Sequence, residues 1–122
     1  MPAEPRPVTV AAVIHRAVEV CDPNGANDAL AALLERFEDD DEPITAVEDV
    51  EERFDEAVNS IGDPESDPEL AMAEAVAVYL AHRRDELGVE PVELLRLAVR
   101  AEFDGHPPRA VADWLTVQEI DW

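Results

Sequence analysis

Hydrophobic positions recur with helical spacing along most of this 122-residue chain. Spacings of three and four residues predict a first helix from about Val8 to Cys21 and a second from about Asn27 to Phe37. A capping box formed by Thr45 and Glu48 predicts a third helix that begins at Thr45 and ends before Gly62. Three further helices are expected, at about 68–87, 91–103 and 108–115. No segment alternates apolar and polar residues over a strand length, so the pattern predicts an all-α fold.

The helix at about 68–87 is expected to organise the others. Apolar residues cover most of its circumference, and from Leu70 onward Glu74 is its only charge before Arg83. Asp67 is the predicted N-cap, Pro68 the first helical residue, and Gly88 the left-handed residue after the last turn. A helix that is apolar on so many sides needs neighbours on several of them.

The domain organisation follows from this central helix. We expect a single-domain irregular bundle of five to six helices over residues 8–122. Residues 1–7 contain three prolines and are expected to form a mobile N-terminal tail.

The charge balance limits the classes of partner. Thirty acidic residues stand against nine basic ones, all of them Arg, which gives a net charge of −21. Direct binding to nucleic acid or to an anionic membrane needs basic patches, so neither is expected. The acidity is explained either by adaptation to a high-salt cytoplasm or by a dedicated acidic surface, and the two explanations are compatible. The candidate acidic surface consists of Glu48, Asp49, Glu51, Glu52, Asp55 and Glu56.

The sequence contains no pattern typical of a catalytic, cofactor or metal site. Cys21 is the only cysteine and falls on an apolar helix face, so we expect a buried, inert thiol in a reducing cytoplasm. The acids from Asp63 to Glu74 superficially copy the spacing of a calcium loop. Pro68 stands where that loop requires glycine, and it is better explained as a helix start. We therefore expect no enzyme activity, no metal and no cofactor.

Two groups of residues are candidates for binding a partner. Large apolar side chains are concentrated near the C-terminus, at Trp114, Ile120 and Trp122. They either fold back onto the bundle or dock on another subunit or partner, for which Trp is a favoured anchor. Arg83 and Arg84 either complement the helix dipole and bridge to Glu86 or Glu90, or clamp an anion or a partner carboxylate.

Two classes of function remain after these exclusions. The first is a non-catalytic protein–protein interaction or assembly module, with self-association as one form of assembly. The alternative is an acidic decoy that mimics nucleic acid and occupies the basic site of a nucleic-acid-binding protein. A decoy predicts salt-sensitive binding, whereas an interaction module predicts an apolar, salt-tolerant contact.

Overall fold

The computed structural model describes residues 8–122, and the predicted mobile tail at 1–7 lies outside this range. Short 3-10 helices lie at Ile44–Ala46 and Arg84–Glu86, and the described residues include no β-strand. The all-α prediction is confirmed. The α-helices are α1 (Val10–Cys21), α2 (Asp28–Phe37), α3 (Val50–Ile61), α4 (Pro68–His82), α5 (Pro91–Phe103) and α6 (Arg109–Val117).

Helix α4 is the centre of the bundle, as its sequence predicts. It packs against α1, α2, α3, α5 and α6. Because its apolar residues surround the helix, burial extends over most of its length. Its buried residues are Leu70, Met72, Ala73, Ala75, Val76, Ala77, Val78, Tyr79, Leu80 and Ala81.

Short polar side chains begin three of the helices. The hydroxyl of Thr9 accepts a hydrogen bond from the Ala12 amide at 3.1 Å, at the start of α1. Asn27 caps α2 in the same manner. The carboxylate of Asp67 accepts from the Leu70 amide at 3.2 Å, which confirms Asp67 as the N-cap of α4.

The central helix ends earlier than predicted, at His82 rather than near Leu87. The chain leaves the helix at Arg83 and forms the 3-10 turn, whose Glu86 carboxylate accepts a hydrogen bond from the Tyr79 hydroxyl. This contact holds the turn against the end of α4. The left-handed conformation predicted at Gly88 is wrong, because the described glycines with positive φ are Gly25 and Gly105.

The third helix begins at Val50, so the predicted capping box at Thr45 and Glu48 is wrong. Thr45 lies in the 3-10 turn, and its neighbour Ile44 is buried. The Ile44 amide donates to the carbonyl oxygen of Val8 at 2.8 Å, which holds this segment across the start of α1. Helix α3 can begin only after the chain has left that contact.

Helices α2 and α3 meet through an aromatic pair. The rings of Phe37 and Phe54 lie edge to face, with centroids 5.7 Å apart and an interplanar angle of 84°. Both side chains are buried, so the pair fixes the acidic helix α3 to the bundle by its inward stripe. Within residues 8–122 no helix is long and apolar enough to cross a membrane.

Candidate functional site

An open cleft lies over one face of α4. Its volume is about 590 Å³. The floor is formed by Ala71, Glu74, Ala75 and Val78, which recur every three or four residues and therefore share one face of the helix. We call this cavity the α4 cleft. Its volume lies within the range of about 300–1,000 Å³ that is typical of ligand-binding clefts.

The walls of the α4 cleft come from the connection between α5 and α6 and from the loop before α4. Asp104 and Gly105 both have positive φ, of 53° and 78°, and this left-handed pair turns the chain sharply at the end of α5. The turn directs α6 back along the cleft. The wall residues are Pro64, Glu65, Glu102, Phe103, Pro108, Arg109, Ala110 and Val111.

Glu74 is the most unusual group in the α4 cleft. Its Oε1 atom is out of contact with solvent and has no hydrogen-bond partner among the described residues. Burial, together with the neighbouring Asp55 carboxyl group on α3, raises the pKa of Glu74 to about 7. Glu74 therefore lies between an acid on α3 and the cleft, and its carboxyl group keeps its proton to a higher pH than an exposed Glu does.

The rest of the cleft is also predominantly acidic. Burial raises the pKa of Glu102 above its ordinary value; the nearby Glu51 carboxylate raises it further, and His82 lowers it. Glu65 adds a third carboxyl group. Arg109 supplies the single positive charge among the described lining residues, but its side chain is 96% exposed and lies 4.0 Å from the Asp113 carboxylate. An apolar floor with an excess of carboxyl groups suits a positively charged group on an apolar stem.

The predicted acidic residues lie on the solvent side of α3 and on the segment that enters it. All six are exposed, and we call them the α3 acidic surface. Glu48 and Asp49 precede α3 rather than belong to its first turns, because the helix begins at Val50. Arg53 forms ion pairs with Asp40 and Glu42, each at 3.0 Å. Because neither acid belongs to the α3 acidic surface, the charge of Arg53 is not used to neutralise that surface. His82 lies 3.2 Å from Glu51 at its edge.

The C-terminal candidates occupy different environments. Ile120 is only 7% exposed, so its side chain belongs to the core of this chain, whereas Trp122 is 39% exposed. Trp114 is partly buried against the core. The tail is held by the Arg96 guanidinium, which donates to the carbonyl oxygen of Asp121 at 2.6 Å. Of the three residues, Trp122 presents the most accessible surface to a partner.

The basic pair lies just beyond α4. Arg83 follows the last helical residue, and Arg84 begins the 3-10 turn. Both side chains are exposed, and neither forms an ion pair with another described residue. The expected bridges to Glu86 or Glu90 are therefore not formed within residues 8–122.

Cys21 lies deep in the bundle, as its position on the apolar face of α1 predicts. Its side chain is buried, and burial raises the pKa of the thiol far above the ordinary value. Such a thiol is a poor nucleophile. In the part of the chain that the structure describes, no three His, Cys, Asp or Glu side chains converge in an arrangement that could hold a metal ion.

The α4 cleft was not predicted from the sequence. Glu74 was the one available signal, since a lone charge in an apolar helix must either reach solvent or find an unusual environment. Glu102 and Arg109 gave no such signal, because the cleft that they line is formed only when α5 and α6 pack against α4. Comparisons with protein families, curated proteins and solved structures find no match to this chain.

Proposed function

We propose that this protein is a non-catalytic interaction module of a high-salt cytoplasm, and that it binds another protein through the α4 cleft. The observation that carries the proposal is the combination of an apolar floor, formed by Ala71, Ala75 and Val78, with an acidic wall in an open cavity. Accessible apolar concavities of this kind are typical of binding sites.

The charge of the chain supports an apolar mode of binding. At a net charge of −21, attraction to a basic partner is strong only at low ionic strength. In about 1 M salt the screening length falls to about 3 Å, so only groups in close contact still interact. A binding site for a salt-rich cytoplasm therefore depends on buried contacts, and the α4 cleft offers them.

The proposal is tested by filling the cleft. Ala71→Leu adds a branched side chain to the floor and preserves helix propensity. Ala101→Leu makes the same change at an exposed position of α5 outside the cleft. Tagged versions of both variants and of the natural sequence are expressed in the native cells and purified in high salt. We expect the natural protein and Ala101→Leu to retain the same partner, and Ala71→Leu to lose it.

Two outcomes decide this test. A partner retained equally by all three proteins would contradict binding through the α4 cleft. Thermal melts of the purified proteins accompany the capture, because a loss of binding supports the proposal only when Ala71→Leu remains folded. If that variant unfolds, Ala71→Ser serves instead, since it changes the polarity of the floor without filling it.

The second candidate function is the acidic decoy. It is favoured by the α3 acidic surface, whose six carboxylates are exposed on one side of the molecule. The decoy predicts a partner that is released by about 1 M salt or by added duplex DNA, because phosphates compete for the same basic site. Replacing Glu48, Glu52 and Glu56 by Gln would weaken that binding and leave binding through the α4 cleft intact.

Self-association is a further possibility for an assembly module. Trp122 supports it, because a partly exposed Trp side chain offers an apolar contact to a second copy. Sedimentation of the natural protein and of Trp122→Ala measures this directly. A dimer that Trp122→Ala dissociates would support the tail as the assembly contact, and a monomer at all concentrations would contradict it.

A further inference from the structure

The carboxyl groups around the α4 cleft indicate the chemistry of its occupant. The buried Oε1 atom of Glu74 has no hydrogen-bond donor among residues 8–122. A buried acceptor without a donor costs free energy, and a ligand removes this cost when it brings a donor to the Glu74 carboxyl group at the wall of the open cleft. A charged donor is favoured further, because hydrogen bonds between ionised partners are stronger than neutral ones.

Charged groups from several elements surround Glu74 or line the cleft beside it. Asp55 approaches it from α3, Glu102 lines the wall from α5, and Glu65 lines it from the preceding loop. Arg109 of α6 projects into solvent and is close to Asp113, so it does not neutralise these carboxyls. The local balance is therefore negative, and an anionic occupant would be repelled.

The floor of the cleft requires a second feature of the occupant. Ala71, Ala75 and Val78 have no hydrogen-bonding side chains, and they form a shallow apolar surface beside Glu74. A compact hydrated ion would leave this surface uncovered. The side chains of Arg and Lys combine an apolar stem with a charged end, and they bury the stem while the charge meets a carboxylate.

We propose that the partner protein inserts one Arg or Lys side chain into the α4 cleft, where its charge pairs with the carboxylate of Glu74 beside the acidic wall that Glu102 lines. Apolar residues that flank this basic side chain in the partner pack on the alanines of the floor. This inference rests on the proposed function, because it specifies the segment that the interaction module recognises. Ionisation of Glu74 accompanies binding, so the complex releases a proton near neutral pH.

The recognised segment is tested with a display library of short random peptides, selected against the immobilised protein in about 1 M KCl to screen non-specific attraction. Clones are then compared on the natural protein, Ala71→Leu and Ala101→Leu. We expect clones that need an unfilled cleft to share one Arg or Lys flanked by apolar residues. Replacing that basic residue by Gln should lower the affinity by about tenfold.

A matched pair of variants tests the role of the carboxyl group. Glu74→Gln and Glu56→Gln remove the same charge, but Glu56 lies on the α3 acidic surface, outside the cleft. We expect Glu74→Gln to weaken binding of the selected peptide by about tenfold, and Glu56→Gln to leave it unchanged. Equal effects of the two variants would overturn the pairing with Glu74.

The remaining outcomes distinguish this inference from the proposed function. Clones that depend on the cleft but share no basic residue would overturn the insertion of a basic side chain. Protein binding through the cleft would still stand. A failure to select any cleft-dependent clone would overturn recognition of a short segment, while the capture from native cells tests protein binding independently. A dimer that Ala71→Leu dissociates would identify a second copy of this chain as the occupant and would also overturn the inference.

Discussion

The carboxyl group of Glu74 on α4 lies close enough to the Asp55 carboxyl group on α3 for a shared hydrogen bond when one of them is protonated. This contact joins the most acidic helix of the bundle to the most apolar one. Burial, together with this neighbouring carboxyl group, raises the pKa of Glu74 to about 7, because burial disfavours the charged form and two neighbouring carboxylates repel each other.

The stability of the protein should therefore depend on the ionisation of Glu74. In the folded state its pKa is about 7, whereas its ordinary value is 4.5. Between these values the folded state binds more protons than the unfolded state, so the free energy of unfolding falls as the pH rises from about 4.5 to 7. We expect the free energy of unfolding to fall by about 1–2 kcal/mol over this range. This is less than the whole pKa difference would give, because the side chain keeps some contact with solvent.

Glu74→Gln tests this dependence. Glutamine keeps the shape and can donate to Asp55, but it has no charge to lose. We expect the variant to be about 1 kcal/mol more stable than the natural protein at about pH 8 and equally stable at about pH 4, in urea unfolding at both values. The control variant Glu56→Gln removes an exposed charge and should not alter the pH profile. Identical profiles for Glu74→Gln and the natural protein would contradict the buried position of this group.

Asn27 connects the start of α2 to the start of α4. Its side-chain oxygen accepts from the Ala29 amide at 2.9 Å, and its amide nitrogen lies 3.3 Å from carboxylate oxygens of Asp67 and Glu69. Asn27→Asp preserves the cap but adds a negative charge beside these acids. We expect a loss of about 1 kcal/mol at low salt that largely disappears in concentrated KCl.

Asn27→Ser is the matched control for this prediction, since serine also caps a helix and carries no charge. It should lose less stability than Asn27→Asp at low salt, and its loss should not respond to KCl. Equal losses in the two variants at every salt concentration would mean that charge repulsion at this junction is negligible.

Two residues of the C-terminal tail, Ile120 and Trp122, should contribute differently to stability. Ile120 is buried in the core, so Ile120→Ala is expected to cost about 2 kcal/mol and lower the melting temperature. Trp122 is partly exposed, so Trp122→Ala should change stability by less than about 0.5 kcal/mol. Thermal melts of the two variants give the comparison. A larger loss for Trp122→Ala would show that the final residue anchors the tail.

Salt should stabilise the molecule as a whole. With a net charge of −21, the compact state is destabilised by self-repulsion at low ionic strength. We expect the unfolding midpoint to rise markedly between about 0.05 and 2 M KCl, because screening shortens the range of this repulsion. A melting temperature that is independent of KCl would argue against adaptation to a high-salt cytoplasm and in favour of a dedicated acidic surface.

The elements of this fold follow largely from local sequence, but their ends do not. Helical spacing predicted α1, α2 and α5 closely, because each has a continuous apolar face. The predicted start of α3 was wrong, because the backbone contact between Ile44 and Val8 joins segments that are distant in sequence. The predicted end of α4 was wrong for a similar reason, since the hydrogen bond from Tyr79 to Glu86 holds the 3-10 turn against the helix.

The candidate site was harder to predict from the sequence than the helices were. Glu74 stood out as a lone charge, but its environment depends on its burial and on Asp55 of α3, and the cleft beside it depends on the packing of α5 and α6. Tertiary packing, rather than spacing along the chain, creates the cleft. The predicted residues Ile120 and Trp122 share a tail, yet one lies in the core and the other at the surface.

Binding through the α4 cleft is tested most directly by photo-crosslinking in the native cells. A diazirine-bearing residue replaces Arg109, an exposed residue at the edge of the cleft, or Glu56 on the α3 acidic surface. We predict that position 109 crosslinks to another protein in high salt, that position 56 does not, and that Ala71→Leu abolishes the crosslink from position 109. Crosslinks from position 56 alone, or crosslinks from position 109 that persist in Ala71→Leu, would contradict the α4 cleft as the site of protein binding.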